Sequence, residues 1–207
     1  MPKITDERRA ERRQQILTAA FTCAAHEGFH RMTMADVIQA SGLSAGAVYG
    51  YFRSKDELIL ALADTAISQI EPAFAALADQ EPLPSIPEVV GLLTAGIEQA
   101  GSHEPDLTRV AVTAWAEAVR NPAVGAILSE RFLRIRGHLV AYLERLQDAG
   151  RLDPEADPVA VAQATFGTIP GFVLQRLVIG DVSSGTYAAG WAALTGAPWP
   201  PGSSVEG

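Results

Sequence analysis

The chain has 207 residues, 48% hydrophobic and 19% charged, enough apolar surface for a packed core, which excludes wholesale disorder. No uninterrupted apolar run approaches the length of a membrane span. The opening MPKITDERRAERRQQ lacks a secretory apolar core, so a soluble cytoplasmic protein is expected, with no membrane partner. One cysteine excludes an internal disulfide framework, and with four scattered histidines it offers no metal cluster and no cofactor site.

The net charge of −8 is unevenly spread. Up to Lys55 there are eight basic residues against five acidic ones, net +3; beyond it, eight arginines face nineteen acids, net −11. Such asymmetry suggests a basic module for a polyanion joined to an acidic body.

The pattern is helical almost throughout, and an all-α fold of about nine helices is expected. Ile16, Leu17, Ala20, Phe21 and Ala24 recur at spacings of three and four along a first helix from about Asp6 to Glu27, with Gly28 as its stop. Thr33, three residues before Asp36, resembles a capping box opening a two-turn helix that Gly42 ends. Ser44 caps a second short helix, AGAVYGYF, and Ser54 with Glu57 caps a long one, bent near Pro72. After the break EPLPSIPEV, helices are expected at 86–100, 105–119, 122–149, 158–179 and 185–195. Pro105, Pro122 and Pro158 sit in first turns behind Glu104, Asn121 and Asp157. The tail 198–207 reads as irregular.

GLSAG, Gly42 to Gly46, poses the functional question. As G-x-S-x-G it matches the nucleophile elbow of serine hydrolases, which needs a strand before the serine and a later acid and histidine. The preceding TMADVIQA reads as a capped helix, and His103 and His138 sit in or beside helical stretches. A helix-turn-helix instead uses every residue of the run. Gly42 serves the tight turn, while Val37, Ile38, Leu43, Val48 and Phe52 pack both short helices on the first. Small residues Ala45, Gly46 and Ala47 lead the second helix, allowing close entry to a major groove. The phenols of Tyr49 and Tyr51, the Lys55 ammonium and a helix N-terminus suit phosphate.

TMADVIQASGLSAGAVYGYFRSKDEL resembles the DNA-binding signature of the TetR family of bacterial transcriptional regulators, over residues about 10–65. The resemblance implies a helix-turn-helix domain at 1–53, a helical effector-binding and dimerisation domain at 54–197, and no enzyme. It places Thr33 at a phosphate, sets Ser44, Ala45 and Gly46 at the start of the recognition helix, and matches Tyr49, Tyr51 and Lys55 to phosphate-contacting positions. Position 51 is often histidine in relatives. Ala45 and Ala47 replace polar side chains of other members, so thymine methyls, backbone contacts and DNA shape are expected to supply much of the specificity.

The arm with Arg8, Arg9, Arg12 and Arg13 reads either as a groove-tracking segment or as a solvated helix face. Cys23 reads as a small buried residue, with a redox role as the alternative. Trp115, Phe132, Tyr142 and Phe166 read as core aromatics. Because the resemblance implies an effector among the central helices, Trp115, Phe132, Arg136, Phe166 and Gln175 are candidate pocket residues, with Gln163, Arg109 and His138 as further polar candidates. Gly167 and Gly171, with Pro170 between them, suggest a kinked helix or a close-packed seam with the last helix and a second subunit. That seam would bury Phe172, Leu174, Leu177, Tyr187, Trp191 and Leu194. The expected partners are a palindromic double-stranded DNA operator, a small-molecule effector and a second copy of the chain.

Overall fold

Capping chemistry sets most of the helix boundaries. Residues 6–68, 70–102 and 104–196 are described by the structure, a computed structural model. Among them the helices are α1 (Asp6–Arg31), α2 (Met34–Ser41), α3 (Ala45–Tyr51), α4 (Lys55–Ser68), α5 (Glu71–Ala75), α6 (Ile86–Gly101), α7 (Leu107–Ala118), α8 (Pro122–Asp148), α9 (Pro158–Val178) and α10 (Ser184–Thr195), with a 3-10 turn at Leu77–Asp79 and no strand. The all-α expectation holds. The long bent helix is interrupted, with Pro72 in the first turn of α5, where its missing N–H is no loss.

Other boundaries shift for local reasons. Gly28 does not stop α1; at φ 74 and ψ 162 it breaks the helix, which resumes through Arg31. That break turns Phe29 and Met32 inward, where both are buried. Pro122 and Pro158 do open α8 and α9 behind side-chain acceptors: Asn121 Oδ1 accepts from the Ala123 amide at 3.1 Å and Asp157 Oδ1 from that of Val159 at 2.9 Å. Pro105 is different. Asp106 caps α7, accepting from Thr108 and Arg109 amides, a stronger start signal than a proline without an acceptor before it.

The chain divides into two compact units. The first takes 1–68 and 103–129, the second 69–102 and 130–207. In the first, α1 contacts α2, α4 and α7, burying Ile16, Leu17, Ala20, Phe21 and Ala24 together with Leu58, Leu62 and Val110. By packing, therefore, α1–α3 are continuous with α4 and α7, and no compact unit ends at residue 53. In the second, α6 contacts α9 and α10, and Val89, Val90, Ile135, Leu139, Phe172 and Ala188 are buried. Tyr142 of α8 donates its hydroxyl to the Pro84 carbonyl at 2.8 Å. Arg151 holds the Leu83 carbonyl and Arg145 the Glu81 carboxylate, so the proline-rich break is tied to α8.

The stretch Lys55–Asp79 is long and apolar enough by composition to cross a membrane, a feature that a search for uninterrupted apolar runs misses because Asp64 divides it. Its Leu58, Ile59, Leu62, Ala63, Phe74 and Leu77 are buried inside the protein.

Candidate nucleic-acid interface

The turn is built from side chains that satisfy helix ends. Thr33 Oγ1 accepts from the Asp36 amide at 3.2 Å, while the Thr33 amide and hydroxyl both donate to Asp36 Oδ2, at 2.8 and 2.6 Å. The expected capping box is present, and the hydroxyl bond, first, with the amide bond holds the Asp36 carboxyl below its usual range. Gly42 closes α2 in the left-handed region, φ 66 and ψ 14, a conformation glycine adopts without steric cost. Ser44 is extended, and its Oγ accepts from the Ala47 amide at 3.3 Å. It is an N-cap, as its setting in the sequence implied.

One face of α3 faces in and the other faces water. Val48 is fully buried and Phe52 nearly so; Ser44, Ala45, Gly46, Tyr49 and Gly50 are exposed, and Ala47 and Tyr51 half-buried. The leading end of this outward face carries nothing larger than a serine. Tyr49, 47% exposed, carries its phenol into solvent.

Three further contacts fix α3 on the head. Arg13 stacks its guanidinium over the Phe52 ring at 5.4 Å, a cation–π contact. Gln15 donates to the Ser41 carbonyl at the end of α2 at 2.8 Å, and Arg12 donates to Gln15 at 2.8 Å. The sequence reading missed these roles because Arg12 and Arg13 stood out only as charge. Arg8, Arg9, Arg12 and Arg13 all lie on α1 and are exposed; two of them position the reading head.

Ser54 caps α4, accepting from the Glu57 amide at 3.1 Å, and Glu57 reaches one residue further back than expected, to the Arg53 amide at 2.7 Å. Lys55 is half-buried and donates to the His30 carbonyl at 2.9 Å. An ammonium has three protons, so this bond anchors the group without exhausting it. Thr33 is more constrained, since its one hydroxyl proton already lies on Asp36. A phosphate at this point would meet the first-turn amides of α2, which Thr33 positions, rather than the Thr33 hydroxyl.

The elbow reading fails on geometry. Ser44 lies between two helices, and among the described residues no strand precedes it. His138 belongs to the other compact unit, and His103 lies outside the described residues. Cys23 is half-buried, and burial, then Asp36 and Glu27, push its thiol up, the opposite of an activated thiolate.

Residues 16–62 match a family model described as bacterial regulatory proteins, tetR family, and 94–192 one described as BetI-type transcriptional repressor, C-terminal. The HTH-type transcriptional repressor Rv1474c of Mycobacterium tuberculosis is 33% identical over 143 residues, 65% of this chain and 71% of that protein. This chain belongs to the TetR family. The uncharacterized HTH-type regulator YfiR of Bacillus subtilis is 29% identical across 87% of this chain and 86% of its own. The solved structure of Salmonella enterica GusR superposes with a TM-score of 0.70 at 25% identity, covering 94% of this chain and 100% of that one. TetR-family proteins are transcriptional regulators, not enzymes. They bind DNA and small-molecule effectors and form dimers.

The body residues fall into distinct places. In the second unit Phe132 and Phe166 meet edge to face, ring centroids 5.2 Å apart, and they, Arg136, His138 and Gln175 are half-buried. Gln163 is exposed. Trp115, half-buried, and Arg109, exposed, lie on α7 in the first unit. Tyr142 alone of the expected core aromatics is fully buried.

Along the expected dimer seam, Leu174 and Leu194 are exposed, as are Val178 and Ile179, while Leu177, Tyr187 and Trp191 are half-buried. Phe172 corrects the expectation. It is fully buried in its own chain, 5.1 Å edge-on from Tyr187, so it packs on the last helix of its own chain and is not open to a second subunit. Of the glycine pair, Gly171 faces the last helix, the Tyr187 hydroxyl lying 3.4 Å from where a Cβ would stand, and within the chain nothing lies within 4 Å of a Cβ at Gly167.

Proposed function

We propose that this protein is a ligand-responsive repressor that binds a palindromic operator as a dimer and is released by a small-molecule effector. One observation carries the reading: α3 buries Val48 and Phe52 while its leading outward face is stripped to Ser44, Ala45 and Gly46, the shape required for a helix that enters a major groove end-on. In this reading residues 1–53 recognise DNA, and 54–197 hold the effector and the second subunit. Tyr49, Tyr51, Lys55 and the start of α2 at Thr33 anchor phosphates; Ala45, Gly46 and Ala47 meet bases through methyl and backbone contacts.

A dimer through α9 and α10 would cover Leu174, Val178, Ile179 and Leu194, which otherwise leave an apolar surface in water. It would also place two recognition helices on successive major grooves of a palindrome. The effector would act through α4, binding one separation of the two heads better than the other. Work on DNA places the protein in the cytoplasm.

Retention of sheared genomic DNA on the immobilised protein tests the reading. Fragments sharing one palindrome are expected. No enrichment, both before and after refolding to strip a co-purified ligand, would sink it.

A further inference from the structure

Threonines on the helices of this protein have a habit. Thr22, Thr65, Thr94, Thr113 and Thr195 each donate their hydroxyl to the carbonyl four residues back, at 2.6 to 3.1 Å. Thr165, in the middle of α9, does not. It is 4% exposed, and its Oγ1 has no hydrogen-bond partner. An orphaned buried hydroxyl is uncommon in native folds and unfavourable, and here the usual local remedy goes unused.

A second polar group lies in the same turn. Pro170 sits inside α9, and having no N–H it supplies no helical donor to the Phe166 carbonyl four residues back. Around this pair the helix is apolar: Ala162 and Phe172 are buried on the Thr165 side, and Phe166 meets Phe132 edge to face at 5.2 Å. Both of those rings are only half-buried, so the aromatic wall extends from the interior towards solvent.

We propose that Thr165 is the polar anchor for the effector, and that the effector is a small, largely aromatic molecule bearing one hydroxyl group. The Thr165 hydroxyl donates to the ligand oxygen, the Phe166 carbonyl accepts the ligand's proton, and Phe132 and Phe166 pack on its apolar part. This rests on the reading of the body as an effector-binding domain and adds the chemistry that selects the ligand. A few converging polar groups in an apolar site give such discrimination.

The test uses the full chain and two probes of nearly equal shape, 2-naphthol and naphthalene, titrated by calorimetry. An apolar site without a hydrogen-bond partner favours naphthalene, because the hydroxyl must leave water. The proposal predicts the reverse for the natural chain, 2-naphthol binding roughly tenfold tighter. Thr165→Val, an isosteric change, should cut the preference several-fold, leaving only what the Phe166 carbonyl supplies; Thr165→Ser should keep it, and Thr165→Ala should reduce it as Val does without added bulk in the helix. No preference in the natural chain, no binding of either probe, or a preference undiminished by Thr165→Val overturns the proposal. Operator capture is followed in parallel. Capture without a hydroxyl preference refutes the role of Thr165 and leaves the regulator reading standing, and a preference without capture does the opposite.

Discussion

Gly28 and Gly42 both have positive φ, and they differ in a way that separates backbone strain from crowding. Gly42, at φ 66 and ψ 14, is left-handed with nothing within 4 Å of a Cβ. Gly42→Ala should therefore cost about 1 kcal/mol, the steric term for a non-glycine residue alone, and Gly42→Asn less. Gly28, at φ 74 and ψ 162, lies in a region that is essentially glycine's own, where other residues cost roughly 1–3 kcal/mol. A Cβ there would also meet Thr113 Cγ2 at 3.2 Å.

Gly28→Ala should accordingly destabilise about twice as much as Gly42→Ala or more. For a chain of this size, each kcal/mol lowers Tm by roughly 2–4 °C. Thr113→Ser removes the methyl group and keeps the hydroxyl that donates to the Arg109 carbonyl at 2.6 Å, so the double variant should recover the crowding part and leave the strain. Thermal melts of these variants, with Thr113→Ser alone as the reference for the double, give the comparison. If Gly28→Ala costs no more than Gly42→Ala, the break in α1 is not the strained point described here.

Other expectations follow from single groups. Lys55→Ala should weaken binding to all DNA sequences alike and reduce the salt dependence of affinity by about one phosphate contact, read from titrations at several salt concentrations; a loss confined to one sequence would contradict its role. Ser44→Ala removes the α3 cap and should cost about 1 kcal/mol in denaturant unfolding, with operator affinity falling in step; loss of an ester-hydrolysis activity would instead revive the elbow reading. The Glu88 carboxyl is lowered from 4.5, first by the Ser85 hydroxyl bond. The ionised form is therefore favoured by folding, and its contribution is present above the unfolded value and lost as pH falls through the lower folded one. Glu88→Gln should be slightly less stable than the natural chain at pH 7, and the difference should vanish in melts well below pH 4.

What the sequence revealed was local. The turn is legible because Thr33, Asp36, Gly42, Ser44 and Ser54 satisfy their own neighbourhoods within four residues, and capping needs no distant partner. Gly28 was visible as a break but not as one that α1 crosses, since resumption depends on burying Phe29 and Met32. Arg12, Arg13 and Gln15 look like a basic polar face until Ser41 and Phe52 are folded beside them. The body is harder because its decisive contacts join residues far apart in sequence. Tyr142 with Pro84 and Glu98 with Ser184, whose amide and hydroxyl donate to that carboxylate at 2.9 and 2.7 Å, have no short-range signature. Phe172 illustrates the limit: an apolar residue in a helical stripe can face its own core or a second subunit, and the stripe is the same in both cases.

Methylation interference on the captured operator tests the central claim most directly, because guanine N7 lies in the major groove. Two recognition helices of one dimer predict two patches of interference, centred about one helical turn, roughly 34–36 Å, apart and related by the palindrome, with two chains bound per site. A single patch, or binding indifferent to N7 methylation, would contradict the insertion of α3 into the major groove.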